Sequence, residues 1–349
     1  MLTDKEIKEI REELLHCKRP LFFFHDDPDG LASFLLLYRY IKEGNGIIVK
    51  TYPELGTVFL KKVEEYTPDK IFILDKPQVS QEFIDNANTL IIYIDHHGPY
   101  DMQNCKYFNP RIKDPEDNTP VSYICYKVVK QDLWIAMIGI VGDWQMPVFS
   151  KEFSKKYPDL LPKNITKPEK VLFSTHLGLL TRIFSFILKG KNKEAMKCVK
   201  ILTRIKDPYE ILNQNTAQGK YIYEKFEKVN TEYQKLLKES VKKVGKQKFL
   251  IYIYKNTSMS FTSDLSNELL YKYPDKFIIV GREKSGEIKM SLRSSKIQIP
   301  QLIEQALQGL QGYGGGHEYA CGVNIKQEDY LIFLERLKKQ LSNSLEFSF

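Results

Sequence analysis

The sequence predicts an α/β protein: a parallel-sheet domain with helices on both faces over residues 1–190, a basic helical connector over 191–248, and a smaller α/β domain over 249–349. Three observations carry this. Short, continuously apolar runs alternate with helical patterns in the first half, as strands buried on both faces of a parallel sheet do. A lysine-rich helical stretch follows, and a second strand-rich segment begins near residue 249. A length of 349 residues is natural for two domains.

In chain order, LFFFHD (21–26) is the first strand and GLASFLLLYRYIKE (30–43) a helix with a broad apolar face. IIVKTY (47–52), KIFILDK (70–76) and TLIIYIDHH (89–97) are further strands, rich in Ile and aromatics. Residues 120–143 supply two helical stretches, and 145–170, rich in Pro, Lys and Asp, read as a surface loop or insertion. The pattern is helical from 171 to 245. Beyond it, FLIYIYK (249–255) is a strand and a helix starts near 263. FIIVGREKSGEIKMSLRSS (277–295) is a hairpin about a Lys-Ser-Gly turn. A helix over 299–310, a glycine-rich turn plus strand over 312–325, and a helix over 327–342 complete the chain.

Hydrophobic residues make up 42% of the sequence, enough for a buried core. No apolar run reaches the roughly 18 residues of a membrane span, and the N-terminus lacks a secretory stretch. Cys17, Cys105, Cys125, Cys198 and Cys321 are odd in number and irregularly spaced, which argues for reduced thiols rather than a disulfide framework. A cytoplasmic protein without membrane contact is expected. Net charge is +8, and residues 189–248 alone hold 16 Lys and Arg against 7 Asp and Glu. Such a segment suits an acidic polymer partner, because basic groups displace counterions from phosphates; the alternative is a solvated lysine-rich face.

The first strand ends in His25-Asp26-Asp27-Pro28-Asp29-Gly30. Ionisable groups at the end of a buried strand are unfavourable unless compensated, and in an open α/β sheet that edge is where ligands bind. A metal site and an Asx-type turn with a helix N-cap both fit this segment. The pattern recurs: one strand ends at Asp75, another at Asp95-His96-His97. Asp143 closes the apolar helix IAMIGIVGD, where a carboxylate opposes the helix dipole unless a cation is near. Mixed imidazole and carboxylate donors suit Mn²⁺, Zn²⁺ or Fe²⁺ better than Mg²⁺ or Ca²⁺. About six ligands suggest two ions, with Asp75 shared between them.

These residues resemble the DHH phosphoesterase family, named for the Asp-His-His at 95–97. The resemblance runs in order through His25-x-Asp27-x-Asp29-Gly30, Asp75, Asp95-His96-His97 and Asp143. Ser291-x-Arg293-Ser294 and Gly314-Gly315-Gly316-His317-Glu318-x-Ala320-x-Gly322 are similar to its partner domain, DHHA1. The resemblance implies two divalent ions, Mn²⁺ with Mg²⁺ as the alternative. His25 and Asp27 would hold one ion and Asp29, His96 and Asp143 the other, with Asp75 bridging. Asp95 and His97 are the implied catalytic groups, Asp95 by orienting His96 and His97 by contacting the scissile phosphate. Ser291, Arg293, Gly314, Gly315, Gly316 and His317 would bind substrate. Read without the family, the three glycines are a turn or an anion-binding nest.

The chain is most similar to archaeal RecJ-like and nanoRNase-type members, and the 145–170 insertion is a departure that could alter substrate entry. The implied activity is an exonuclease releasing 5′-mononucleotides from single-stranded DNA, RNA or short oligonucleotides. Tyr221, Tyr223 and Phe226 could stack bases, although their helical spacing equally suits a core. A cyclic-dinucleotide or 3′,5′-bisphosphate phosphodiesterase is the close rival. A replisome scaffold, or an enzyme with replication or repair partners, is the third reading.

Overall fold

The computed structural model describes residues 1–50, 54–255 and 259–346, with side chains through residue 341. The chain divides into two compact units, Met1–Glu227 and Lys228–Phe349. The division falls inside the stretch expected to be a connector.

The first unit opens with helix α1 (Asp4–Leu15), started by a capping box between Thr3 and Glu6. Strand β1 (Pro20–His25), α2 (Pro28–Ile41), β2 (Asn45–Val49), α3 (Leu60–Tyr66), β3 (Lys70–Leu74), α4 (Gln81–Asn86), β4 (Leu90–Ile94) and β5 (Lys106–Phe108) follow. The five strands are parallel throughout, in the order β2-β1-β3-β4-β5. The expected second strand stops at Val49, and residues 51–52 of that reading lie outside the described residues. α1, α3, α4 and β5 are additions to the expected elements.

Continuous apolarity in β1 has a direct cause: both of its faces are covered. Phe23 joins Ile71, Ile73, Tyr93 and the α4 residue Phe83 on one face. On the other, Phe24 stacks on Phe34 of α2 with centroids 4.6 Å apart. Helices α5 (Val121–Val129) and α6 (Leu133–Gly142) complete that layer. They approach closely because Gly139 has no side chain; a Cβ there would lie 2.5 Å from Ser122 Oγ and 2.7 Å from Ala32 Cβ.

The segment 145–170 is more than the surface loop the sequence suggests. It contains α7 (Ser150–Lys156) and buries Phe153, Leu160 and Leu161. Phe149 also packs on Tyr126, with ring centroids 4.8 Å apart. Sparse apolar anchors hold an otherwise polar stretch, so composition alone misreads it. Helices α8 (Pro168–Ser174), α9 (His176–Ile187), α10 (Asn192–Leu202), α11 (Pro208–Leu212) and α12 (Ala217–Val241) follow, and α12 runs across the unit division. Phe226 is buried against Phe186 and Tyr223, in keeping with the core reading, while Tyr221 lies under the ammonium of Lys197.

The second unit is a mixed sheet, β6-β7-β8-β10-β9, in which β6 (Phe249–Lys255) and β7 (Phe277–Lys284) are parallel and the rest antiparallel. β7 and β8 (Glu287–Arg293) form the expected hairpin, with Ser285 and Gly286 at positive φ. α13 (Thr262–Lys272) contacts β7 and β8. α14 (Pro300–Leu307) and α15 (Tyr330–Glu346) bury Ile303, Phe333 and Leu337 with Met290, Leu292 and Val323 of the sheet. The glycine run departs from expectation: Gly312–His317 is itself an edge strand, β9, paired with β10 (Ala320–Lys326).

Among the described residues, no single helix is long and apolar enough to cross a membrane. The bent pair α8–α9 passes that test together by length and composition alone.

Candidate metal centre at the strand ends

Strand order explains why the acidic groups meet. From β1 the chain moves to β2 on one side and then to β3 on the other, so β1 and β3 flank a topological switch point, where such sheets bind ligands. The parallel register sets Phe24 beside Leu74 and Leu74 beside Ile94, which brings His25, Asp75 and Asp95 to one edge. Backbone bonds fix the ends: Asp75 N donates to Ile94 O at 2.9 Å and Asp95 N to Phe108 O at 3.1 Å. Asp75 has a φ of 58°, an unfavourable left-handed conformation for a residue with a side chain.

The N-cap reading of the 25–30 segment holds, and the same geometry leaves its side chains available to a cation. Asp27 is the N-cap of α2, its Oδ1 accepting from Gly30 N at 2.9 Å, while its Oδ2 faces His25 Nδ1 at 2.7 Å. Gly30 is required because a Cβ would lie 2.6 Å from the carbonyl oxygen of His25. Asp29, fully buried, caps α5 from 92 residues away: Oδ2 accepts from Val121 N at 2.8 Å and Oδ1 from Ser122 N at 2.9 Å and from the Ser122 hydroxyl.

The structure brings the six expected ligand residues together. Asp75 Oδ2 lies 3.4 Å from His25 Nδ1, and Asp75 Oδ1 lies 3.3 Å from His96 Nε2. His96 Nε2 is also 3.2 Å from Asp143 Oδ2. Ligand atoms of His25, Asp27 and Asp75 lie within 4.8 Å of one another, as do those of Asp29, His96 and Asp143, and those of Asp75, His96 and His97. Asp27, His96, His97 and Asp143 stay partly exposed, so the cluster is open on one side.

Asp95 differs from expectation. Its Oδ1 contacts Nδ1 of His97 at 2.8 Å, not His96, and its Oδ2 accepts from His97 N at 3.0 Å. Asn109, which no sequence signal singles out, donates to His97 O at 3.0 Å and to the Tyr107 hydroxyl at 2.8 Å. His96 Nδ1 instead faces the carbonyl oxygen of Asn118 at 3.3 Å, and Gln145 donates to that same oxygen. A carbonyl can only accept, so His96 donates its Nδ1 proton there, and Nε2 is the atom that faces the Asp75 and Asp143 carboxylates and that a cation would take in place of its proton.

The electrostatics call for added positive charge. Burial, then the charge of Asp75, pushes the Asp29 carboxyl up from 3.8 to about 7. For Asp75, burial alone would raise the value, but the His25 and His96 imidazoles outweigh it and hold the carboxyl well below the ordinary range. Burial pulls His96 down, yet Asp75 and Asp143 more than offset this and raise it to about 11. Neither Asp75 oxygen accepts a well-aligned hydrogen bond among the described residues, although both are buried. A shared, buried, under-satisfied carboxylate between two groups of oxygen and nitrogen donors fits divalent cations.

In the second unit, cross-strand register places Arg293, Ala320 and His317 in one row and Ser291, Gly322 and Gly315 in the next but one, all on the same sheet face. Arg293 Nε donates to Asn267 of α13 at 2.7 Å, and Ser291 Oγ lies 3.2 Å from Ser263 Oγ. The three glycines are not equivalent, and they form a strand rather than a nest. A Cβ on Gly314 would lie 2.9 Å from Ile303 of α14. Gly316 has a φ of +146° and its Cβ would meet Ala320 O at 2.5 Å, whereas Gly315 faces open space.

A parallel α/β sheet with carboxylates and imidazoles converging at its switch point is the architecture of an α/β phosphoesterase. The comparisons narrow this further: the DHH family N-terminal domain matches residues 21–158 and the DHHA1 domain residues 246–343, and the chain belongs to the DHH/DHHA1 phosphoesterase family. Among solved structures, it is similar to RecJ in complex with Mn²⁺ from Thermus thermophilus (TM-score 0.68, 16% identity). That match covers 97% of this chain and 54% of that one, so the chain spans about half the length of that relative. It is also similar to an exonuclease RecJ bound to manganese (TM-score 0.62, 15% identity, 97% and 94% coverage). A third likeness is the DHH domain of a protein assigned to a ribosomal-protein family (TM-score 0.66, 13% identity, 97% and 89% coverage). No curated protein matches the sequence.

Proposed function

We propose that this phosphoesterase is a two-metal exonuclease that hydrolyses single-stranded DNA, RNA or short oligonucleotides to 5′-mononucleotides. The observation that carries this reading is the position of Asp75 between two donor groups, His25–Asp27 and Asp29–His96–Asp143. Divalent cations held there, Mn²⁺ foremost with Mg²⁺ as the alternative, supply Lewis acidity and charge neutralisation to a phosphodiester. The chain's own part is orientation. The Asn118 carbonyl accepts from His96 Nδ1 and so leaves Nε2 as the nitrogen a cation would take, and Asp95 accepts a hydrogen bond from His97 Nδ1. His97, partly exposed, thereby turns its other nitrogen to the phosphate as the group that contacts substrate. Ser291, Arg293, Gly314, Gly315, Gly316 and His317 are the substrate-binding groups of the second unit, with Arg293, its Nε and Nη1 held by Asn267, Leu292 O and Cys321 O, supplying positive charge and Gly315 letting backbone approach. The five free cysteines support a reducing, cytoplasmic setting.

The test incubates the protein and Mn²⁺ with 5′- and 3′-labelled DNA and RNA oligomers and with a cyclic dinucleotide. Mononucleotides appearing from one end of the linear substrates, and an Asp29→Ala variant at least about a hundredfold slower, are expected. Turnover of the cyclic dinucleotide alone would replace the exonuclease reading with that of a small-nucleotide phosphodiesterase.

A further inference from the structure

Helices α8 and α9 meet at a bend of 79°. A cleft of about 430 Å³ opens there, lined among others by Phe173, His176, Leu179, Arg182 and Asp159. The volume lies near the lower end of the roughly 300–1,000 Å³ of ligand pockets, room for one nucleotide unit but not for a duplex. His176 is fixed by its Nδ1, 3.0 Å from the carbonyl oxygen of Asp159, and Arg182 adds a permanent positive charge to the wall.

One ring contact links a residue of this cleft to the neighbour of a cluster carboxylate. Trp144 directly follows Asp143 and has a φ of 59°, left-handed backbone that a bulky residue rarely adopts. Its amide donates to Val141 O at 3.0 Å, and its ring remains 40% exposed, with its centroid 5.9 Å from that of Phe173. Phe173 thus belongs both to the aromatic pair and to the cleft. An exposed tryptophan, next in the chain to a carboxylate of the cluster and packed on a half-buried phenylalanine, with an arginine on the cleft wall, matches a stacked base joined to phosphate.

We propose that this cleft is a nucleotide subsite of the hydrolytic centre: Trp144 and Phe173 hold one base of a single-stranded substrate beside the scissile phosphodiester, and the Arg182 wall faces a neighbouring phosphate. The subsite rests on the phosphodiesterase reading but can be tested apart from it. The chain has two tryptophans, and Trp134 is only 2% exposed, so fluorescence quenching by added bases reports on Trp144.

Titrating the whole protein in chelator with a 5′-phosphorylated dinucleotide should give saturable quenching that Trp144→Phe abolishes. In Mn²⁺, Phe173→Leu should raise KM for that dinucleotide about five- to hundredfold with kcat within about twofold, the range expected for losing one stacking platform. The same variant should leave KM unchanged for an analogue lacking the stacked base, which a merely structural role would not predict. Hydrolysis by the wild type with no quenching and an unchanged KM in Phe173→Leu overturns the subsite. Quenching without hydrolysis keeps the subsite and removes the phosphodiesterase reading, and absence of both removes both.

Discussion

Asp75 Oδ1 lies 3.3 Å from His96 Nε2, and neighbouring parallel strands dictate that approach. With Leu74 aligned to Ile94, the residues just past each strand must meet at the sheet edge. A one-residue slip would turn the side chains to the other face and disperse the cluster. Asp75 therefore couples the fold to the chemistry, and the predictions start from it.

Asp75→Asn keeps the shape of the side chain but removes the charge shared by His25 and His96. Turnover should fall at least about a hundredfold, and Mn²⁺ affinity about ten- to a hundredfold. Steady-state kinetics and calorimetric titration check both.

Without metal, stability should decline as pH rises. Asp29, raised from 3.8 to about 7 by burial and then by Asp75, holds a proton that the unfolded carboxyl has lost, so raising pH through that window favours unfolding. His96 lies at about 11: burial lowers it, but Asp75 and Asp143 prevail. Its stabilisation is complete below its ordinary value of 6.5 and fades as pH climbs toward 11. Cations displace these protons, so Mn²⁺ binding should tighten with pH and release protons. Thermal melts at about pH 6 and about pH 8.5 should show a lower Tm at the higher pH in chelator. One Mn²⁺ concentration, a hundredfold above the Kd at the lower pH, should narrow the gap, adding about 2.7 kcal/mol there and more at the higher pH where binding is tighter.

Asp95→Asn tests a positioning role. An amide at the Oδ1 site can present a donor to His97 Nδ1 and favour the wrong tautomer, so kcat should drop about ten- to a hundredfold. Mn²⁺ affinity should change less than about threefold, because Asp95 touches His97 rather than His96. Equal losses in both would place His97 among the ligands instead.

Gly314→Ala and Gly315→Ala should separate packing from binding. The first forces a Cβ to 2.8 Å from Val323 and 2.9 Å from Ile303, and should destabilise the protein by about 1–3 kcal/mol in urea unfolding. The second meets nothing within 4 Å, so stability should hold while KM for oligonucleotides rises.

Much of the centre is legible in the sequence because buried strands tolerate charge only where something compensates it. The apolar runs ending in His25, Asp75 and Asp95 mark one sheet edge before any fold is known, and Asp143 stands out as a carboxylate at the wrong end of a helix. The supporting groups are not legible. Asn109 and Asn118 act from loops through a side-chain amide and a backbone carbonyl, which leave no periodic trace, and the partner of Asp95 depends on a turn that spacing does not specify. The start of α1, by contrast, carries a readable signal in Thr3 and Glu6, the two halves of its capping box. The glycine run looks like a turn because glycine is rare in strands; here Gly314 is small to admit Ile303 of α14. The polar 145–170 segment hides its anchors, Phe153, Leu160 and Leu161, among charged residues.

The most direct test is anomalous scattering at the manganese edge from crystals of the Mn²⁺-loaded protein. Two peaks are predicted, one bounded by His25, Asp27 and Asp75 and the other by Asp29, His96 and Asp143, with Asp75 reaching both. A single peak, or none at these residues with Mn²⁺ well above its Kd, would contradict the two-metal account.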